Sequence, residues 1–295
     1  MYDCIIVGGG IAGLSAAIYL RRKDVKTLLI TLDIGGRTNI PKYIVNYTGY
    51  DKIEGYKVPL NAKEQAESLG LEIKYEKIHK VEKMEDYFVV NNHATKTVLL
   101  AFGKAPRILN AENEEKFMGN GIDYNIRNYQ KYKNKKVAII GAGNSAFTSA
   151  QDLKGIASEI TIIHRSGFKA DETLVSEVKS FCSFINANVK EFKGDGKLKH
   201  VLLDNDKEIK VDNVIINIGF ESDKSFLKNI VDLNEIDEII INDMCETSEK
   251  GIFAAGDCST VPFKQSIIAA GDGAKAALAI YQYLSGSRVK TDWVH

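Results

Sequence analysis

Two glycine-rich turns hold the residues whose types and spacing could do chemistry. In the first, Gly8, Gly10 and Gly13 form a Gly-x-Gly-x-x-Gly pattern; in the second, Gly141, Gly143 and Ala146 repeat it with the permitted alanine. The first glycine of such a turn allows a tight strand-to-helix bend. The second lets the backbone approach a pyrophosphate, and the third position lets the helix pack close on the strand. The helix that follows offers free N–H groups and the positive end of its dipole to the phosphates. Asn144 and Ser145 open the second helix and join that turn's expected contacts. A single turn of this kind is a weak signal. Two of them, each after an apolar run and before a small-residue helix, point to two dinucleotides in one chain and to electron transfer between FAD and a nicotinamide.

The choice of nicotinamide depends on the end of the second strand of the second unit. An acid there would bind a ribose 2′-hydroxyl, and a base would accept a 2′-phosphate. Ile160-Thr161-Ile162-Ile163-His164 runs into Arg165, with Lys169 four residues on. One guanidinium can hold a phosphate through two parallel bonds, so the pattern leans to NADPH and leaves NADH, or both, open. A solvated loop arginine is the competing reading. Asp33, at the corresponding end in the first unit, is not assigned a ribose contact.

The positioning elements follow from the apolar patterning. Strand 2–7, turn 8–13, helix 12–23 and strand 26–31 form the first unit, followed by a long loop at 33–56 and a helix at 59–69. Alternating runs between 71 and 101 predict a small antiparallel insert ending in a buried strand. Strand 136–140, turn 141–146, helix 144–154 and strand 159–163 form the second unit. A helix at 171–184, strands near 189–192, 198–203 and 213–218, a strand at 252–255 and a helix at 264–284 complete the chain. The fold class is α/β: two Rossmann-like domains, the second inserted in the first. The expected division is 1–110 with 244–295 for FAD, and 111–243 for NAD(P)H.

Composition narrows the function classes. The 295 residues carry 39 basic and 39 acidic side chains, a formal net charge of +0, with 44% hydrophobic and 26% charged residues. That balance gives no footprint for nucleic acid or an anionic membrane and excludes wholesale disorder. No apolar run reaches the length of a membrane span. The four cysteines, Cys4, Cys182, Cys245 and Cys258, and the five histidines show neither a disulfide framework nor metal-ligand spacing. A reduced, cytoplasmic protein without a signal peptide is the expectation.

With these motifs in place, the sequence resembles the low-molecular-weight thioredoxin reductase family of FAD/NAD(P)H flavoproteins over nearly its whole length. Gly251-Ile252-Phe253-Ala254-Ala255-Gly256-Asp257 matches the family's second flavin motif, and the resemblance implies that Gly256 and Asp257 meet the flavin, Asp257 through the ribityl chain. Lys264, Gln265 and Ser266 match the start of the family's last helix, whose N-terminus is expected to face the flavin carbonyl region. Gly35, Gly36 and Asn46 match the loop lining the flavin, with Tyr47 as a packing group. Ala101-Phe102-Gly103 stands where the family has Ala-Thr-Gly, so Ala101 and Gly103 join the FAD set. Ile218 and Gly219 join His164, Arg165 and Lys169 in the nicotinamide set. A homodimer, and a hinge motion at crossings near 106–114 and 239–249, are further implications of the resemblance.

One departure bears on the reaction. Where the family carries its redox Cys-x-x-Cys, this chain has Asn125-Ile126-Arg127-Asn128. An asparagine supplies no thiolate, so these positions cannot attack a disulfide. This segment is more similar to thioredoxin-reductase-like ferredoxin–NAD(P)+ reductases, which also lack the pair. Three readings follow. The first is an NAD(P)H oxidoreductase with an external acceptor: a ferredoxin meeting the basic run Lys131, Lys133, Lys135 and Lys136, a quinone, or oxygen. The second is a flavoprotein acting as a redox or nucleotide sensor or binding partner. The third is a disulfide reductase using Cys258. Trp293 or His295 in the tail would stack on a flavin or simply fray.

Overall fold

Strands buried on both faces organise the molecule. The Cys4-Ile5-Ile6-Val7 run is almost wholly excluded from water, as a parallel strand must be when other elements cover both of its faces. The computed structural model describes residues 1–126, 128–228 and 230–286; Trp293 and His295 lie outside them. In chain order, the first unit supplies β1 (Tyr2–Gly10), α1 (Ile11–Arg22), β2 (Thr27–Gly35), α2 (Lys57–Ser68), β3 (Glu72–Tyr75), β4 (Val81–Lys83), β5 (Phe88–Val90) and β6 (His93–Leu100). The second unit supplies β7 (Ile122–Asp123), β8 (Lys136–Ile140), α3 (Asn144–Asp152), β9 (Glu159–His164), α4 (Glu172–Lys179), β10 (Ser183–Asn186), β11 (Val189–Asp195), β12 (Lys197–Leu203), β13 (Glu208–Lys210) and β14 (Asn213–Ile216). The chain then returns to the first unit for β15 (Ile252–Ala254) and α5 (Ser266–Ser285).

The first unit comprises Met1–Ala105 and the described residues from Ser222 to Gly286. Its sheet runs β3-β2-β1-β6-β5-β4, with β15 also pairing β6. Strands β3, β2, β1, β6 and β15 are parallel neighbours, whereas β4, β5 and β6 pair antiparallel. The edge of β6 facing away from β1 is shared: its first half, through Thr95, pairs β5, and its second half, Val98–Leu100, pairs β15. The antiparallel insert is therefore continuous with the main sheet. Cys4 and Ile6 point into a core shared with α1, α2 and α5. Ile5 and Val7 point the other way, against Val81, Phe88 and Val90.

That second face also places the return crossing. It lies at 221/222, earlier than the expected 243/244, and the first crossing lies at 105/106. Phe226, Leu227, Val231 and Ile239 are buried against Ile5, Val7, Leu28 and Ile30, each worth about 1.5–3 kcal/mol on leaving water. Val81 N donates to Phe226 O (3.2 Å) and Ile239 N to Cys258 O (2.9 Å). The stretch is mostly irregular, so no helical or strand period betrays its place in the core.

The second unit, Pro106–Glu221, has a parallel sheet in the order β7-β14-β8-β9-β10 and an antiparallel sheet β11-β12-β13. Ala138 and Ile140 face the antiparallel layer with Phe192, Leu198 and Val201; Val137 and Ile139 face α3 and α4 with Phe147 and Val178. The helix expected at 171–184 is shorter. Ser183–Asn186 instead forms β10, in register with Thr161–His164, because pairing with a buried strand outweighs the local helical pattern. The region expected as a long loop at 33–56 begins with the end of β2, then a 3₁₀ turn at Gly36–Asn39 and a short hairpin of Tyr43–Ile44 with Ile53–Glu54.

Helix α5 lies directly on the start of α1. A Cβ at Gly273 would fall 2.0 Å from Ala12 O, and Ser15 Oγ donates to Ala270 O (2.7 Å). Gly273→Ala is therefore expected to cost about 2 kcal/mol through overpacking. Gly271→Ala, whose Cβ meets nothing within 4 Å, should be neutral or stabilise the helix by up to about 1 kcal/mol. Denaturation midpoints of the two variants check the contrast.

Candidate functional site

In the first unit, the expected FAD residues converge at the carboxyl ends of the parallel strands, where α/β sheets bind ligands. β1 ends in Gly8-Gly9-Gly10, and α1 starts at Ile11 without a side-chain cap. Gly8 adopts φ +110°, and a Cβ there would sit 2.5 Å from Ala101 O. A Cβ at Gly13 would fall 2.1 Å from Gly8 O, so only glycine lets helix and strand meet this closely. Gly10 differs: a Cβ there meets nothing within 4 Å. The backbone thus presents an open side at the position expected to approach a pyrophosphate, next to uncapped helix N–H groups. These features fit a dinucleotide.

The remaining FAD candidates surround this turn. Gly36 lies against Gly10, its notional Cβ 3.9 Å from the Gly10 Cα, and Gly35 has φ +103°. Gly9 N donates to Thr31 Oγ1 (2.9 Å), which donates to Asp33 O (2.6 Å), so the β2 end is tied to the turn. Ala101 is buried, and Gly103 takes φ +63° with open space around it. Gly256 (φ +75°) packs on α1, its notional Cβ 3.0 Å from the Ala12 Cβ. Asn46 Nδ2 donates to Gln265 Oε1 (3.3 Å), and Thr38 Oγ1 lies 3.1 Å from Ser266 Oγ. The loop after β2 is thereby fastened to the start of α5.

Arg37, Lys104 and Glu238 lie here outside the expected set. Arg37 pairs with Asp257 at 2.5 Å across the site. Lys264 donates to Ser259 O (2.5 Å) and pairs with Glu238 (3.0 Å), which also pairs with Lys104 (2.8 Å). Burial alone would raise the Glu238 carboxyl; the two ammonium groups outweigh it and hold the carboxyl below the usual range. Arg37 and Lys104 directly follow motif glycines, which is the one hint their positions offered. Glu238 lies in the irregular stretch 222–243 and offered none.

In the second unit, Gly141 adopts φ +147°, and a Cβ there would lie 2.2 Å from Asn217 O. Gly143 is open, and Ala146 is buried under the turn. These features fit a second dinucleotide on the same grounds as the first. Asn144 Nδ2 donates to Asp171 Oδ2 (3.0 Å), and Asp171 N donates to Asn144 Oδ1 (2.8 Å), so the start of α3 is clasped to the loop before α4. Ser145 is exposed. His164 Nδ1 donates to Ser166 O (2.6 Å), and its ring meets Phe168 at 4.8 Å. Lys169 N donates to Ala142 O (2.7 Å), which sets the Arg165–Lys169 loop beside the glycine turn with both side chains exposed. Gly219 (φ +99°) ends the stretch after β14, next to Ile218. Asn217, absent from the expected set, accepts from Ser149 Oγ (2.8 Å).

The asparagine segment is built around a carboxylate. Asp123 accepts from Lys131 Nζ (2.6 and 2.8 Å) and from Tyr132 Oη (2.8 Å). Asn128 Oδ1 accepts from Gln130 N (3.0 Å) and starts the following 3₁₀ turn. Lys131 is therefore engaged within its own unit, and Lys136 pairs with Glu159 (2.7 Å). The basic run expected to meet a ferredoxin is accordingly half neutralised.

The cysteines are free thiols. Cys258 is buried and donates to Leu100 O and Ala255 O (both 3.4 Å), and burial pushes its thiol up to about 11. Cys245 is also pushed up to about 11 and Cys4 to about 12, both by burial. A thiol held protonated beneath the sheet end is a poor nucleophile, which weighs against disulfide reduction through Cys258. Among the described residues, no cluster of His, Cys, Asp or Glu is arranged to hold a metal ion, and no helix is long and apolar enough to cross a membrane. A thiol-reactive reagent at pH 8 is expected to titrate at most one of the four cysteines in the native protein, the partly buried Cys182, whose thiol burial pushes up to about 11, and all four after denaturation.

Comparison with known proteins agrees with this geometry. Residues 2–276 match the family described as pyridine nucleotide-disulphide oxidoreductase. The chain is 33% identical over 96% of its length to a component of the alkyl hydroperoxide reductase of Escherichia coli, and 32% identical over 96% to an NADH dehydrogenase of Bacillus subtilis. It spans 58% of the length of each of these two relatives. It is 34% identical to the thioredoxin reductase of Mycoplasma pneumoniae, covering 96% of both chains. The crystal structure of Lactococcus lactis thioredoxin reductase superposes with a TM-score of 0.82 at 30% identity, over 97% of this chain and 100% of that one. Two glycine-turn units, the flavin-type Gly-Asp motif and these matches place the chain in the pyridine nucleotide-disulphide oxidoreductase family, as a thioredoxin-reductase-like flavoprotein.

Proposed function

We propose that the protein is an FAD-dependent NAD(P)H oxidoreductase of thioredoxin reductase type that works without an active-site disulfide and delivers electrons to an acceptor outside the chain. The observation that carries this reading is the pairing of an open glycine turn in each unit with asparagines at 125 and 128. When bound, FAD supplies a hydride acceptor and the nicotinamide a hydride donor. The chain's own residues bind and orient. Gly8, Gly10, Gly13 and the start of α1 would hold the FAD pyrophosphate. Gly35, Gly36, Ala101 and Gly103 would line its path. Asp257, Asn46 and Lys264-Gln265-Ser266 would hold the ribityl and ring end, where the positive end of α5 favours developing negative charge.

In the second unit, Gly141, Gly143 and Ala146, with Asn144 and Ser145, would hold the nicotinamide dinucleotide, and Ile218 and Gly219 would flank it. The exposed Arg165 and Lys169, with His164 at the strand end, favour a 2′-phosphate and hence NADPH. The acceptor is a small quinone, oxygen, or a protein such as a ferredoxin. Relatives named for two different activities support a shared flavin core that serves several acceptors. A cytoplasmic homodimer is proposed on the family resemblance.

The reading is tested by mixing the purified protein anaerobically with NADPH and, separately, NADH while following the oxidised-flavin absorbance band. Bleaching by NADPH is expected. A bound flavin that neither nucleotide bleaches would overturn the enzyme reading in favour of a sensor. Arg165→Ala is expected to raise the KM for NADPH about tenfold, about 1.4 kcal/mol, and to leave the KM for NADH unchanged. Equal changes for both would remove Arg165 from the phosphate site.

A further inference from the structure

At the carboxyl end of the first unit's sheet, three charged side chains from distant parts of the chain meet in a largely enclosed position. Lys104 follows β6 and Gly103. Lys264 lies two residues before α5. Glu238 stands beside Ile239, whose N–H bonds Cys258 O (2.9 Å) just past β15. Glu238 Oε1 accepts from Lys104 Nζ (2.8 Å) and Lys264 Nζ (3.0 Å). Its side chain is 8% exposed, and those of the lysines are 20% and 21% exposed. Lys264 Nζ also donates to Ser259 O (2.5 Å), and Ser259 Oγ donates to Gly256 O (2.8 Å), so the cluster is bonded to the Gly256-Asp257 motif itself.

The charge balance of the neighbourhood is uneven. Arg37 pairs with Asp257, and Lys275 lies 3.7 Å from Asp272. The cluster sets two ammonium groups against one carboxylate and keeps one net positive charge. In a partly desolvated site such a charge acts over a longer range than at the surface. It adds to the positive end of the twenty-residue helix α5. Without Glu238, the two lysines would repel each other, and nothing else among the described contacts would hold Lys104 here.

We propose that Glu238 is a positioning residue that gathers Lys104 and Lys264 into a net-positive cluster at the flavin motif, and that this cluster raises the reduction potential of the flavin bound there. The inference rests on the FAD reading above. Two-electron reduction builds negative charge on the flavin, so a fixed positive neighbour stabilises the reduced form more than the oxidised one. Glu238 thus has two opposed effects: its own charge lowers the potential, while its bonds keep both lysines in place.

The test is the two-electron midpoint potential of the FAD-loaded protein, read by anaerobic titration against redox dyes. Lys264→Met and Lys104→Met are each expected to shift the potential negative. Glu238→Gln keeps a hydrogen-bond acceptor for the lysines and removes the negative charge, so it should shift the potential positive. Glu238→Gln combined with Lys264→Met restores the native net charge and should return towards the native value. Shifts of all three single variants in the same direction would mark a merely structural role and overturn the inference, as would unchanged potentials in both lysine variants. If Glu238→Gln fails to fold, the lysine variants still decide: a negative shift in both supports the cluster, and its absence overturns it. A native protein that binds no FAD fails earlier, in its absorbance spectrum, and that failure removes the function reading and this inference together.

Discussion

Helix α5 and helix α1 touch backbone to backbone, and this contact is the constraint on which the first unit's site depends. Only a residue without a side chain fits at Gly273, because a Cβ would overlap Ala12 O. Gly13 allows the matching approach of α1 to β1. Between them, these close approaches put the starts of both helices, the Gly8-Gly9-Gly10 turn and the Gly256-Asp257 motif within one small region. Two helix N-termini then lie at the same end of one parallel sheet, a local field that favours anionic groups. The second unit repeats the device once: Gly141 fits under Asn217 O and brings α3 down on its sheet.

Around the first unit's turn, the charged side chains are arranged in short, partly buried bonds rather than as a solvated surface. Arg37 is held by Asp257, and Glu238 by two lysines. A carboxylate as enclosed as Glu238 persists in its charged form because its Oε1 accepts from two ammonium groups. Asp272, buried on α5, is matched less fully: burial raises its carboxyl, and Lys275 at 3.7 Å is its ion-pair partner. The site end of the sheet therefore combines binding surface with a fixed electrostatic environment. That environment is a property of the protein, in place for whatever electron chemistry a bound cofactor performs.

The absence of thiols at 125 and 128 changes what the rest of the chain has to do. Amides in those positions supply no thiolate, so Asn125 and Asn128 cannot themselves relay electrons. Burial pushes the Cys258 and Cys245 thiols up to about 11, which makes them poor nucleophiles. The asparagine segment is instead braced by Asp123, Lys131 and Tyr132. The same lysines that read as an exposed basic run in the sequence thus act in part as internal struts.

The two glycine-rich turns, the strand–turn–helix order and the asparagines at 125 and 128 were legible in the sequence by itself. Each is a local pattern: glycine spacing within six residues, an apolar run before it, a side-chain chemistry at one position. The helix expected at 59–69, found at Lys57–Ser68, and the parallel strands were legible for the same reason. The partners of these patterns were decided only in the tertiary structure. Arg37 and Asp257 are 220 residues apart, and Lys104 and Glu238 are 134 apart; no local period connects them. The return crossing at 221/222 was hidden because Phe226, Leu227 and Val231 join the core from an irregular segment. The strand at 183–186 was hidden because its pairing with β9 outweighs its own helical pattern. Short-range sterics write themselves into residue spacing, whereas ion pairs and core contacts between distant segments depend on where the folded backbone carries them.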